Sequence, residues 1–186
     1  MQGREILLGV TGGIAAYKAA VLASKLVQAG AGVSVIMTRS ATKLIGPRTF
    51  EALTGRPVRT EVFDATKIHA HIELARNAEL LCIAPATANI LGKMANGIAD
   101  DLLSTVYLSF RGPVIVAPAM NCEMWEKKVV QRNVAQLLAD GVVFVGPESG
   151  RLSCGEVGVG RMAEPETIMQ AIYLIPHPSP LTPFPL

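Results

Sequence analysis

A doubly wound α/β sheet, parallel and covered by helices on both faces, is the fold class this sequence predicts. Three observations predict it: short apolar runs that recur along the chain, an amphipathic stretch between the first two, and turn residues gathered where the runs end. The runs are EILLGV at 5–10, VSVIMT at 33–38, ELLCIA at 79–84, PVIVA at 113–117 and VVFVG at 142–146. Their brevity and apolar character read as buried strands.

Taken in order, the first run is followed by AAYKAAVLASKLVQAG, apolar at 16, 19, 20, 22, 23, 26 and 27, with Gly30 placed to end it. That is the spacing and the stop signal of an amphipathic helix. A strand, a helix and a second strand then make a parallel pair. Further helices fit 47–54, 72–77, 87–95, 100–109, 123–139 and 165–174. Pro85 is expected to stop the third strand, and residues 86–89 to turn into the helix that follows. The stretch GRLSCGEVGVGRMAEP, 150–165, has no periodic apolar pattern and reads as a glycine-rich mobile flap. The final PHPSPLTPFPL holds five prolines and continues neither helix nor sheet. The expected organisation is therefore one domain over residues 1–175 and a proline-rich tail or linker over 176–186. In such a Rossmann-like, flavodoxin-type sheet, ligands bind beyond the carboxyl ends of the strands.

Composition narrows the function classes. A chain of 186 residues builds a core without disulfide or metal staples. Half its residues are hydrophobic and its mean hydropathy is +0.38, yet no apolar run approaches the roughly 18 residues that span a bilayer. The surplus is expected to be buried between subunits, which predicts a homo-oligomer. A net charge of +2, with no Lys/Arg block and 5% aromatics, gives no footprint for nucleic acid. MQGREILLGVTGG carries an acid and a glycine break that a secretory signal lacks, so a cytoplasmic location is expected, with no membrane partner. Cys82, Cys122 and Cys154 share no C-x-x-C spacing, which argues against a disulfide framework and a structural zinc site.

The strand ends hold the candidate site. GVTGGIAAYK lays the amides of Gly12, Gly13 and Ile14 at a helix start, where a phosphate is favoured. It lacks the G-x-G-x-x-G dinucleotide pattern, and Thr38-Arg39 stands where a dinucleotide site places an acid, so a mononucleotide fits better. Thr38 and Ser40 either add hydroxyl donors to that phosphate or, for Ser40, only cap the next helix. In LLCIAPATANILGK, the small residues around Thr87, Ala88 and Asn89 let a flat ring lie close, although Thr87 is equally placed to be an ordinary cap. HAHIEL offers His69 and His71, without a third ligand nearby to make a metal site; His71 is a candidate acid/base. PAMNCEMW, 118–125, presents Met120 and Asn121 at the end of a strand. Cys154 and Arg161 lie in the flap, where a thiol is open to proton donation and a guanidinium to covering a ligand.

Together, in this order, GVTGGIAAYK, HIEL, APATAN, PAMNCEMW and SCGEVGVGRM resemble the homo-oligomeric flavin-containing cysteine decarboxylases, over about residues 4–174. The signature Pro-x-Met-Asn-x-x-Met-Trp is filled by Pro118, Met120, Asn121, Met124 and Trp125. The resemblance implies bound flavin mononucleotide (FMN), with the phosphate at Gly12, Gly13, Ile14, Thr38 and Ser40. It puts the isoalloxazine against Thr87, Ala88 and Asn89, and Met120 near the ring. It further implies that His71 is catalytic, that Asn121 holds the substrate carboxylate, and that Cys154 returns a proton. A trimeric unit with each flavin between subunits would let His71 serve a neighbour's site.

The reaction implied is decarboxylation of 4′-phospho-N-pantothenoylcysteine to 4′-phosphopantetheine in coenzyme A synthesis, through a thioaldehyde and an enethiol. In many bacteria this half is fused to a phosphopantothenate-cysteine ligase. A cysteine carboxylate has no electron sink of its own, and a flavin supplies one. Peptidyl-cysteine decarboxylases stop at the enethiol and need no returning proton, so the flap cysteine argues against them. Flavin prenyltransferases share the fold but are not expected to combine HIEL with PAMN. A non-enzymatic regulatory flavoprotein would carry an acidic extension, and the tail here has no acid.

Overall fold

The computed structural model describes residues 1–62, 70–151 and 155–176. Five strands, β1 (Glu5–Val10), β2 (Gly32–Met37), β3 (Leu80–Ala86), β4 (Val114–Pro118) and β5 (Val143–Phe144), form one parallel sheet in the order β2-β1-β3-β4-β5. This is the flavodoxin-type order, and its connections reverse direction between β1 and β3, where a crevice opens at the carboxyl ends.

The inner strands β1, β3 and β4 bury both faces. Ile6, Leu8 and Val10 pack against α1 (Ala16–Gln28), through Ala19, Leu22 and Leu26, and against Ile168 and Ile172 of α8 (Pro165–Leu174). Leu7, Leu81 and Ile83 face the opposite cluster, built from α4 (Ala88–Ala95), α5 (Leu102–Ser109) and α7 (Lys128–Ala139). The remaining helices are α2 (Pro47–Thr54), α3 (Ala70–Asn77) and α6 (Cys122–Glu126). Helix α5 starts with a capping box, Asp101 Oδ1 accepting from Ser104 N at 2.9 Å. Arg4, 2% exposed, reaches from the foot of β1 to the Ile172 carbonyl at 2.8 Å and toward the Pro176 carbonyl at 3.5 Å. It thereby answers carbonyls that the end of α8 leaves open.

Three sequence expectations change. Strand β3 continues through Pro85 to Ala86 rather than stopping at it; its pairing with β4 shifts register between Ile83 and Ala86, the kind of irregularity that accommodates a residue without an N–H. The helix expected over 123–139 breaks at Lys127, whose ψ is 128°. Gln131 Nε2 then donates to the Trp125 carbonyl at 2.6 Å, one of the acceptors the break frees. The stretch taken as an irregular flap contains an antiparallel hairpin, β6 (Glu148–Arg151) with β7 (Val157–Arg161). The tail from 177, His69 and Cys154 lie outside the described residues.

Candidate active site at the carboxyl edge of the sheet

Loops after β1, β2, β3 and β4 close around a cleft of about 1420 Å³, and β7 forms its remaining wall. The turn after β1 supplies Gly12, Gly13 and Ile14, and the turn after β2 supplies Thr38 and Ser40. These two turns touch: a Cβ on Gly12 would collide with Ser40, whereas one on Gly13 would make only ordinary contact with Pro85 and Thr87 at 3.4 and 3.5 Å. Gly13 N–H returns to the Thr11 carbonyl at 2.8 Å, which leaves the Gly12 and Ile14 amides without a backbone partner among the described residues. Ser40 caps nothing; it is Thr38 Oγ1 that accepts from Ala41 N, at 3.3 Å, keeping its own proton to donate.

The turn after β3 brings in Thr87, Ala88 and Asn89. Thr87 occupies the N-cap position of α4 but makes no capping bond. Its surroundings are set instead by Thr11, which sequence reading passed over. The Thr11 hydroxyl, 2% exposed, donates to the Pro85 carbonyl at 2.6 Å, accepts from Thr87 N at 3.2 Å and lies 3.3 Å from Thr87 Oγ1. One hydroxyl thus fastens the first turn to the third. Lys93 and Asp101 also line this side, joined at 2.7 Å, with Asp100 at 2.6 Å from the same ammonium. Partial burial works against the Lys93 charge, but the two carboxylates outweigh it and raise its pKa.

After β4 come Met120 and Asn121. Asn121 is the N-cap of α6; its Oδ1 accepts from Glu123 N at 2.8 Å and Met124 N at 3.4 Å, which fixes the orientation of the amide. The opposite end, Nδ2, donates to Glu156 Oε2 at 2.7 Å. Strand β7 lies flush against this loop. A Cβ on Gly160 would strike the Met120 carbonyl, one on Gly158 would come within 2.7 Å of Cys122 Cβ, and Met120 N donates to the Gly160 carbonyl at 2.9 Å.

At the base of β7, Arg161 pairs with Glu164, and Lys18, 7% exposed, reaches Glu164 at 2.9 Å and the Met162 carbonyl at 3.1 Å. The Lys18 hydrogen bond first, then that of Arg161, holds the Glu164 carboxyl below its usual range, and Glu164 raises Arg161 in return. The lysine of GVTGGIAAYK was the one visible signal for this link. The cleft therefore offers free amides, a hydroxyl and cations in one corner, a flat pocket of small residues in the middle, and an oriented amide at the far side. Among the described residues, His71 does not line the cleft; it sits on α3, which packs on β1 and α5, and its Nδ1 is enclosed without a hydrogen-bond partner among those residues.

The family model described as Flavoprotein matches residues 1–174. The chain belongs to the flavoprotein family. This flavoprotein is 50% identical over 172 residues to the coenzyme A biosynthesis bifunctional protein CoaBC of Bacillus subtilis, covering 91% of this chain and 42% of that protein. The chain thus spans less than half the length of that curated relative. Among solved structures, it superposes with a TM-score of 0.83, at 31% identity, on a cysteine-to-serine mutant of PPC decarboxylase complexed with pantothenoylaminoethenethiol, over 93% of this chain and 98% of the other. The FMN binding protein AtHal3 gives a TM-score of 0.79 at 32% identity, over 93% of this flavoprotein and 96% of its own chain. No helix among the described residues is long and apolar enough to cross a membrane.

Proposed function

We propose that this flavoprotein is an FMN-dependent phosphopantothenoylcysteine decarboxylase, converting 4′-phospho-N-pantothenoylcysteine to 4′-phosphopantetheine. The observation that carries the reading is Asn121, whose amide is locked by the start of α6 with its NH2 end already donating to a carboxylate. A substrate carboxylate would take the same donor. The relatives agree: one acts in coenzyme A biosynthesis, and another is a decarboxylase holding an aminoethenethiol, the species left when a cysteine residue loses carbon dioxide and two hydrogens.

The residues fit FMN. The Gly12 and Ile14 amides with Thr38 and Ser40 would hold the phosphate, Thr87, Ala88 and Asn89 would pack on the ring, and Met120 would lie beside it. Bound FMN would supply the two-electron sink that a cysteine carboxylate lacks. The chain's own groups would do the rest. Asn121 would orient the carboxylate, Arg161 would cover the substrate, His71 would move a proton in the oxidative half, and Cys154 would protonate the enethiol carbon. The flavin-binding unit spans residues 1–175, with 176–186 a tail or a link to a phosphopantothenate-cysteine ligase, and the working assembly is a cytoplasmic homotrimer or a multiple of it.

Two expected results test this. The purified protein should be yellow, release FMN on denaturation, and release carbon dioxide from 4′-phospho-N-pantothenoylcysteine. In Asn121→Asp, FMN should stay bound while substrate affinity falls by about tenfold or more, because a second negative charge faces the carboxylate; native activity in that variant removes Asn121 from the role. Separately, Gly12→Ala should weaken FMN binding by about tenfold by pushing Ser40 out of the phosphate corner, with Gly13→Ala as the near-neutral comparison. Equal FMN affinity in the two variants would move the phosphate elsewhere.

A further inference from the structure

We infer that Glu156 is a built-in occupant of the carboxylate subsite at Asn121, displaced only by a ligand that brings its own carboxylate. The inference rests on the proposed role of Asn121. The Asn121 amide has one available orientation, since turning it over would lose both backbone bonds to Oδ1. Its outward NH2 meets Glu156 Oε2 at 2.7 Å, the length of a charge-assisted bond. That carboxylate is delivered by backbone docking: Gly158 and Gly160 set β7 flat on the loop that carries Asn121, and Met120 N holds Gly160.

Glu156 is nonetheless exposed, so a carboxylate expelled from Asn121 passes directly into water without a desolvation penalty. A neutral group cannot expel it, because an amide bond to an uncharged acceptor is roughly half as strong as one to a carboxylate. An incoming substrate carboxylate replaces like with like. Once that carboxylate has left as carbon dioxide, nothing on the product competes for Asn121, and Glu156 returns. The same oxygen lies 3.5 Å from Cys122 Sγ, so the returning carboxylate sits between amide and thiol.

The test compares wild type, Glu156→Gln and Glu156→Ala, each loaded with FMN. Both variants should show a KM for 4′-phospho-N-pantothenoylcysteine lower by roughly three- to tenfold, the equivalent of one net hydrogen bond. The inhibition constant of 4′-phosphopantetheine should stay unchanged. A raised KM, or equal weakening of substrate and product, overturns the proposal and makes Glu156 only a fastener of the hairpin. A second readout needs no turnover: the side-chain amide resonances of Asn121 should move in Glu156→Gln, and acetate should shift them in Glu156→Ala at lower concentration than in wild type. Resonances indifferent to the substitution, or acetate acting equally on both proteins, overturn it too. A wild type that makes no carbon dioxide defeats the decarboxylase reading alone, and the acetate titration still decides for or against the occupant.

Discussion

Replacing His71 with asparagine is expected to slow decarboxylation by about 10²- to 10⁴-fold, the usual cost of losing a general base, with folding and FMN content unchanged. Folding should survive because His71 is only partly buried and its Nδ1 gives up no hydrogen bond when removed. The position of the residue makes the prediction sharper. His71 does not line the cleft of its own chain among the described residues, so in the proposed trimer it would act on a neighbouring subunit's cleft. His71→Asn and Asn121→Asp chains, unfolded together, reassembled and assayed at substrate well below the KM of the Asn121 variant, should then show native activity at about a quarter of the sites, those pairing a native Asn121 with a neighbour's native His71. A single variant within about twofold of the native rate would make His71 a surface residue. Failure of the mixture to recover would put both residues on one chain.

The second large effect is expected from Cys154→Ser. Carbon dioxide should still form, while 4′-phosphopantetheine falls by about a hundredfold or more, since a serine hydroxyl is a far weaker acid than a thiol near pKa ~8.5. The two other thiols do not substitute for it. Cys82 is enclosed in the core, and burial pushes it up to about 12. Cys122 opens α6 and is not among the lining residues of the cleft, and its thiol is raised by lost hydration and then by the Glu156 carboxylate. Cys122→Ser should therefore keep product formation and serves as the comparison. The measurement is the ratio of carbon dioxide to product under anaerobic conditions. Full conversion by Cys154→Ser leaves that cysteine a bystander; no carbon dioxide from a folded, FMN-loaded variant moves it to the oxidative half.

The parallel sheet was legible because the five apolar runs are short and the helices between them carry regular stripes, so period and length agree. The contents of the cleft were legible for a different reason: glycines, hydroxyls and an asparagine gather where strands end, at the edge where a parallel sheet binds its ligands. What escaped reading used the same residue types differently. In Val157-Gly158-Val159-Gly160 the valines are the exposed face, Val157 at 77%, and the glycines are the packed one. The alternation of a strand was present, but written in absent side chains. The break at Lys127 has no glycine or proline to announce it, because the change falls on a residue that tolerates either conformation. Thr11 and Lys18 looked like one polar position each in a turn and a helix; their importance lies in partners 74 and 144 residues away.

Arg4 fixes where the chain leaves the last helix. It holds the end of α8 against the foot of β1, whereas the cleft opens at the head of that strand, six residues or about 20 Å away. A segment appended beyond Pro176, such as the proposed ligase half, departs from the floor of the sheet on the side remote from the chemistry. A link starting there would act as a tether, raising the local concentration of the two halves around each other.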